Sequence, residues 1–249
     1  MQIVGIIPAR YQSSRFPGKP LVEILGKPMI QHVYERSAAA TGLDQVYVAT
    51  DDSRIEAAVH RFGGRSVMTR EDHASGTDRL EEACGILRLN KDDVVVNIQG
   101  DEPLVHPDMI EDLVRALLED PRCPMATLAF SSRNEIQYHD PNVVKVVTDL
   151  GDRALYFSRS PLPFRRDPDA RPLEFLKHLG FYAYRCGFLK TFSKLGQGTL
   201  EEIEKLEQLR ALEHGYSIRV ALTPHETHGV DTPEDIEEIM KRLSQRTAT

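Results

Sequence analysis

Residues 93–99 constrain the fold more than any other stretch, because Val94, Val95 and Val96 stand in an unbroken row followed by Ile98. A half-buried strand alternates apolar and polar side chains, so a row that is apolar at every position predicts a strand covered on both faces. Such a strand needs helices on either side, which restricts the chain to a layered α/β sheet. The flanking segments keep the same rhythm. Ile3, Val4, Ile6 and Ile7 predict a buried strand stopped by Pro8. Residues 28–40 predict a helix with Ile30, Val33 and Tyr34 on one face and Pro28 in its first turn. A strand at 46–50, a helix at 55–62 stopped by Gly63-Gly64, a short strand at 66–69, helices at 77–89 and 108–118 and a strand at 125–130 follow. This half is expected to be a parallel sheet with helices on both faces.

After about Asn134 the rhythm changes. Residues 143–148 and 154–158 are β-rich and flank the turn signal Asp149-Leu150-Gly151-Asp152, which predicts an antiparallel hairpin insertion. A strand at 180–185, helices near 187–195 and 200–214, a strand at 217–222 and a last helix from Pro233 to about Arg246 complete the series. With 249 residues and no Pro/Gly/Ser-rich linker, one domain is expected, divided roughly at 1–130, 131–225 and 226–249.

Composition narrows the partners. A net charge of −7 argues against nucleic acid, which calls for a broad basic surface. Cys84, Cys123 and Cys186 are far apart and odd in number, against a disulfide framework or a cysteine zinc site and in favour of a reducing cytoplasm. No apolar run is long enough to span a bilayer, and a first strand beginning at Gln2 leaves no room for a signal peptide. The expectation is a cytoplasmic protein without a membrane partner.

Chemistry is expected in the loops. After the first strand, Arg10, Arg15 and Lys19 stand among Ser13, Ser14 and Gly18, so cations and backbone donors can converge on a polyanion. A solvated basic loop is the plainer alternative; the position at the carboxyl end of a strand in an open α/β sheet favours the anion cradle. Asp101 and Glu102 follow the most buried strand and suit Mg²⁺ or a solvated turn equally. In Asp231-Thr232-Pro233-Glu234-Asp235, Thr232 suits a helix cap and Pro233 the first helical position, leaving Asp231 to face a ligand. Residues 73–79 suit either a base-binding loop or a capping turn. Arg159 is of the type that grips carboxylates, His178 and Tyr182 flank a strand start, and Glu207 and Gln208 look like surface positions. The phosphate-loop and Gly-x-Gly-x-x-Gly fingerprints are absent, and His225-Glu226-Thr227-His228, with histidines three apart, is read as a loop and not as a zinc-protease helix.

Several segments carry a more specific signal. Arg10 with Ser14-Arg15-Phe16-Pro17-Gly18-Lys19-Pro20-Leu21 resembles the signature loop of nucleotide-sugar pyrophosphorylases and cytidylyltransferases. Ser75-Gly76-Thr77-Asp78-Arg79, Asn97-Ile98-Gln99-Gly100-Asp101-Glu102-Pro103, Ala154-Leu155-Tyr156-Phe157-Ser158-Arg159, His178-Leu179-Gly180, Leu206-Glu207-Gln208-Leu209-Arg210 and Gly229-Val230-Asp231-Thr232-Pro233 follow in order. Together they resemble the CMP-Kdo synthetases, the 3-deoxy-manno-octulosonate (Kdo) branch of the nucleotidyltransferase family. The resemblance implies a Rossmann-like, mainly parallel sheet with the hairpin insertion, as in nucleotide-diphospho-sugar transferases. It implies CTP and Kdo as substrates, CMP-Kdo and diphosphate as products, Mg²⁺ as cofactor and a homodimer formed through the hairpin, although an internally packed hairpin fits the residues as well. By resemblance, Arg10, Arg15 and Lys19 hold the triphosphate and Ser75, Arg79 and Gln99 read the cytosine. Arg159, His178, Tyr182, Glu207 and Gln208 hold the sugar, and Asp101 and Asp231 share the metal. That last pairing requires the final helix to return to the carboxyl end of the sheet. A transferase for another acidic sugar, and a catalytically idle nucleotide-binding protein, are the competing readings.

Overall fold

In the computed structural model, which describes residues 1–12, 16–73, 75–167 and 171–246, the chain opens with strand β1 (Ile3–Ala9) and a single 3-10 turn (Lys19–Leu21). Two-residue strands β2 (Glu23–Ile24) and β3 (Lys27–Pro28) lead into α1 (Met29–Ala38), then β4 (Gln45–Thr50), α2 (Ser53–Arg61), β5 (Ser66–Met68), α3 (Gly76–Ile86), β6 (Val94–Asn97) and α4 (Pro107–Glu119). Next come β7 (Met125–Ser132), α5 (Glu135–His139), β8 (Lys145–Thr148), β9 (Ala154–Ser158), the long β10 (Phe175–Arg185) and α6 (Cys186–Phe192). The short helices α7 (Thr199–Glu204) and α8 (Gln208–Glu213), strand β11 (Ile218–Leu222) and helix α9 (Asp235–Arg246) close the series.

The sheet runs in the order β11-β7-β10-β6-β1-β4-β5, with β8 paired to both β10 and β9. β6 is the middle strand of that path, and Val94, Val95 and Val96 are all fully enclosed, as their unbroken row predicts. Val95 packs on one face with Leu80 and Cys84 of α3 and Phe188 and Leu189 of α6. Val94 and Val96 pack on the other with Ile30 and Val33 of α1, Ile55 and Val59 of α2 and Ile110 and Leu113 of α4. Each such side chain contributes roughly 1.5–3 kcal/mol on burial, so the sheet is clamped from both sides. Among the described residues no helix is long and apolar enough to cross a membrane.

Four features depart from the sequence-based expectation. First, β1 continues through Pro8, which pairs with Ala49 of β4. Ile98 donates to the Ile6 carbonyl, so Ile6 and therefore Pro8 face the β6 side; β6 ends opposite Ile6, and the missing N–H of Pro8 forfeits no ladder bond there. Second, the sheet is not parallel throughout the first half: β10 lies antiparallel between β6 and β7. Third, the helix expected at 200–214 is two short helices, broken at Lys205, whose φ of +53° leaves the helical region. Fourth, α9 begins at Asp235 and not at Pro233. The Asp235 carboxylate accepts the N–H groups of Asp231 and Thr232 at 2.8 Å each, so it, and not Thr232, organises the entry turn. The hairpin of β8 and β9 forms as expected.

α9 is held by its own small core. Ile239 and Leu243 pack with Val230 against Ile24, Met29 and Leu104. This patch brings the C-terminal segment back beside the loops that follow β1 and β6.

Candidate active site

The ends of β1 and β6 and the segment before α9 meet at Lys19. The turn after β1 is closed by a hydrogen bond from the Gly18 N–H to the Tyr11 carbonyl, 2.8 Å, and sets Lys19 at the start of the 3-10 turn. From there the ammonium donates to Asp101 Oδ2 and to the Val230 carbonyl, both at 2.7 Å, and stands 3.9 Å from Asp231 Oδ1. The Val230 N–H in turn donates to the Asp101 carbonyl at 2.9 Å. Asp101 and Asp231 are thus neighbours across 130 residues of chain, as the geometric demand made of α9 requires. Gly100 makes the approach of the acidic turn to β1 possible: a Cβ there would lie 2.7 Å from the Pro8 carbonyl oxygen.

Glu102 turns inward beneath this pair. Burial pushes its carboxyl up to about 8, the Asp101 charge adds to the shift, and the Thr227 hydroxyl and Lys177 pull the other way. Its Oε2 is enclosed and has no hydrogen-bond partner among the described residues. A set of carboxylate oxygens with a single ammonium between them, plus one orphaned buried oxygen, matches what a hard divalent cation such as Mg²⁺ takes as ligands. The donor set fits that ion.

A cleft of about 320 Å³ is lined by Arg10, Gln12, Lys19, Gln99 and Asp101. It adjoins a second of about 340 Å³ that shares Arg10 and Gln12 and includes Asp51 and Asp52. Arg10 donates through Nη2 to the carbonyls of His73 at 2.7 Å and Ser75 at 3.0 Å, which fastens the loop before α3 to the end of β1. Ser75 caps α3: its hydroxyl accepts the Asp78 N–H, and the Asp78 carboxylate accepts the Ser75 N–H, each at 3.1 Å. Gln99 donates to the Gly180 carbonyl at 2.7 Å and joins the cleft to β10. Arg15 lies outside the described residues. Arg79 is placed differently from a direct cytosine contact. Its guanidinium is fully buried and donates to Asp51 at 2.8 Å and Thr69 at 2.5 Å, so it braces the wall of the second cleft from behind.

The residues expected to hold a sugar gather only in part. His178 and Tyr182 stand on β10 on either side of a bulge at Gly180, whose φ is +73°, with ring centroids 5.5 Å apart. His178 Nε2 lies 2.9 Å from the Thr127 hydroxyl, and desolvation alone lowers its pKa to about 3. The Tyr182 phenol is pushed well above its ordinary value, first by burial. Both are neutral hydrogen-bonding groups at physiological pH. Glu207 and Gln208, expected at the surface, turn inward at the start of α8, because Leu206 and Leu209 on either side are core residues. Glu207 accepts from Thr77 at 2.7 Å, and burial raises its pKa. Gln208 Nε2 and Asn97 Oδ1 are enclosed without a partner among the described residues, polar atoms that call for water or a ligand. Arg159 is occupied elsewhere. It donates to the carbonyls of Glu204 at 2.7 Å and Pro141 at 2.9 Å and makes no hydrogen bond to His178, Tyr182 or Glu207.

Sequence reasoning missed the supporting partners. Thr127 and Thr77 are single hydroxyls in apolar or capping surroundings and give no signal of their own. Asp51 was visible as an acid at a strand end, where its link to Arg79 could have been sought.

A cytidylyltransferase family model matches residues 4–220. A 3-deoxy-manno-octulosonate cytidylyltransferase of Syntrophobacter fumaroxidans is 68% identical over 245 residues, 98% of each chain. An 8-amino-3,8-dideoxy-manno-octulosonate cytidylyltransferase of Shewanella pealeana is 56% identical, over 98% of this chain and 99% of the relative. Among solved structures, CMP:2-keto-3-deoxy-manno-octonic acid synthetase complexed with CTP superposes with a TM-score of 0.92 at 46% identity, covering 99% of this chain and all of that one. With its layered sheet, its inserted hairpin and a full-length match to these relatives, the chain belongs to the cytidylyltransferase family.

Proposed function

We propose that this chain transfers the cytidylyl group of CTP to the anomeric hydroxyl of Kdo, releasing diphosphate. The observation that carries this reading is the junction of Lys19, Asp101 and Asp231 over the cleft; the 68% identical relative supports Kdo as the acceptor. The sugar hydroxyl gives up its proton to water as its oxygen attacks the α-phosphorus directly, and diphosphate leaves opposite it with the electron pair of the broken P–O bond, with no covalent enzyme intermediate. Both substrates are anions, so repulsion must be cancelled before they meet. Lys19 and Arg10 supply positive charge at the end of β1, where the triphosphate would lie. Asp101 and Asp231 would hold Mg²⁺, which when bound supplies charge neutralisation at the phosphates and the attacking oxygen. The two carboxylates act as ligands and not as bases. Neutral His178 and Tyr182, with Gln208, orient sugar hydroxyls through hydrogen bonds without exchanging protons with them.

The test is diphosphate release from CTP with and without Kdo, repeated with a chelator and with the 8-amino sugar. Release that requires Kdo and is abolished by chelation is the expected result. CTP binding without turnover on either sugar would overturn the reading, and a clear preference for the 8-amino sugar would reassign the acceptor. We also infer a cytoplasmic homodimer joined through the hairpin, where Leu150 and Leu155 are exposed. A monomer in sedimentation equilibrium at micromolar concentration would refute the dimer.

A further inference from the structure

We propose that His73 and Glu82 are positioning residues for the nucleotide site: as a pair they anchor a carbonyl that aims the Arg10 guanidinium. This rests on Arg10 meeting the CTP phosphates, as the proposed function requires. Neither side chain lines the two clefts that Arg10 borders. Both hydrogens of Arg10 Nη2 are taken, one by the His73 carbonyl at 2.7 Å and one by the Ser75 carbonyl at 3.0 Å, so a phosphate has to be met from Nε and Nη1. The direction of those donors is therefore set by where the two carbonyls stand.

Ser75 is held by its own capping of α3, but His73 precedes the cap and needs a separate anchor. Its ring supplies one. The His73 side chain is only 5% exposed, and Nε2 lies 2.5 Å from Glu82 Oε2. An ionised carboxylate only accepts, so the ring carries its hydrogen on Nε2 and donates it. The same Glu82 oxygen accepts the Arg70 N–H at 2.9 Å, and Glu82 Oε1 stands 3.4 Å from Arg70 Nε. Glu82 lies on α3 two turns beyond the Ser75 cap, from where its carboxylate reaches back to the chain arriving from β5. Desolvation works to raise the Glu82 carboxyl, yet the hydrogen bonds from His73 and the Arg70 N–H hold it below its ordinary value, so it is ionised at neutral pH.

Removing Glu82 leaves the cap on Ser75 intact and takes the tether from His73. Arg10 then keeps one fixed carbonyl partner of its two. A guanidinium held at one point can pivot about it, whereas one held at two points cannot. The loss falls on the grip of Arg10 and not on the fold, since α3 stays capped and Leu80, Ala83 and Cys84 stay in the core.

The test is the CTP affinity of the full-length protein in excess Mg²⁺, read by titration calorimetry. Glu82→Ala and His73→Ala are each expected to raise Kd about tenfold, the equivalent of one contact to a charged group. Glu82→Gln keeps an oxygen for the Arg70 N–H and the His73 ring, and should recover most of that loss. In an Arg10→Met background, Glu82→Ala changes Kd by less than about twofold, because the pair acts only through Arg10. A merely structural role would instead give the same loss with and without Arg10. That result, or unchanged affinity in both alanine variants, overturns the proposal. Should Glu82→Ala fail to fold by thermal unfolding, His73→Ala carries the same comparison. No sugar is present in the titration, so a failure of Kdo transfer is a separate result.

Discussion

Replacing Lys19 with methionine keeps the apolar stem and removes the ammonium, which severs two 2.7 Å hydrogen bonds at once, to Asp101 and to the Val230 carbonyl. A hydrogen bond to an ionised group contributes about 1.5–3 kcal/mol. The Asp101 side chain is 35% exposed and therefore partly screened, so the lower end applies and the two together amount to about 2–3 kcal/mol. In a chain of this length 1 kcal/mol moves Tm by roughly 2–4 °C, which puts the expected fall at about 4–12 °C. Charge alone does not isolate the contact, so the assay is a double-mutant cycle with Asp101→Asn, read by urea unfolding. A coupling of about 1 kcal/mol or more is expected. In the same proteins kcat falls by about 10²- to 10³-fold, the usual loss when one charge-stabilising donor is removed. Additivity within about 0.3 kcal/mol would refute the reasoning, since residues without a shared interaction behave in that way.

Three further perturbations address the rest of the site. His178 has an ordinary pKa of 6.5 when unfolded and about 3 when folded, so the unfolded chain takes up the proton first and stability is lost as pH falls from 6.5 towards 3. His178 is only partly buried by area, so the loss at pH 4 is put at about 2 kcal/mol, and His178→Gln should abolish that component; parallel stability profiles of the two proteins between pH 7 and 4 would contradict it. Arg79→Met leaves Asp51, at the edge of the second cleft, without its buried partner and should cost about 1–3 kcal/mol in urea unfolding, whereas no measurable loss would mean that the ion pair adds nothing to the fold. Gly180→Ala meets no atom within 4 Å but must hold φ at +73°, so it should cost only the backbone penalty of about 1–2 kcal/mol; a larger loss by thermal unfolding would point to packing.

How much of this was legible depends on whether the signal is local. The both-faces burial of β6 is written in three adjacent valines, and the hairpin in Asp149-Leu150-Gly151-Asp152, so both were readable. The break at Lys205 was not, because Leu200, Ile203, Leu206 and Leu209 keep a helical spacing straight through it. The inward turn of Glu207 and Gln208 was hidden for the same reason: an acid on an acid-rich helix looks solvated until the packing of Leu206 and Leu209 fixes the face. Arg10 and Lys19 could be placed in a cleft from sequence since both lie in the loop that a buried strand delivers. Arg79 could not, because its role depends on Asp51 and Thr69 at the ends of other strands.

The insertion of β10 explains why one end of the sheet can serve two substrates. Parallel strands deliver their loops to the carboxyl edge, which is where Lys19 and Asp101 emerge after β1 and β6. An antiparallel strand presents its beginning at that same edge. Tyr182 is in register with Asn97, the last residue of β6, so the part of β10 before Tyr182 extends past the end of β6. His178 and Gly180 stand in that overhang, and Gln99 reaches Gly180 from the loop beyond β6. A parallel strand in the same place would have put its first residues at the opposite edge, away from the acids. The reversal in strand direction, supplied by the excursion through β8 and β9, is what sets groups suited to a sugar beside groups suited to a nucleotide without lengthening any loop of the first half.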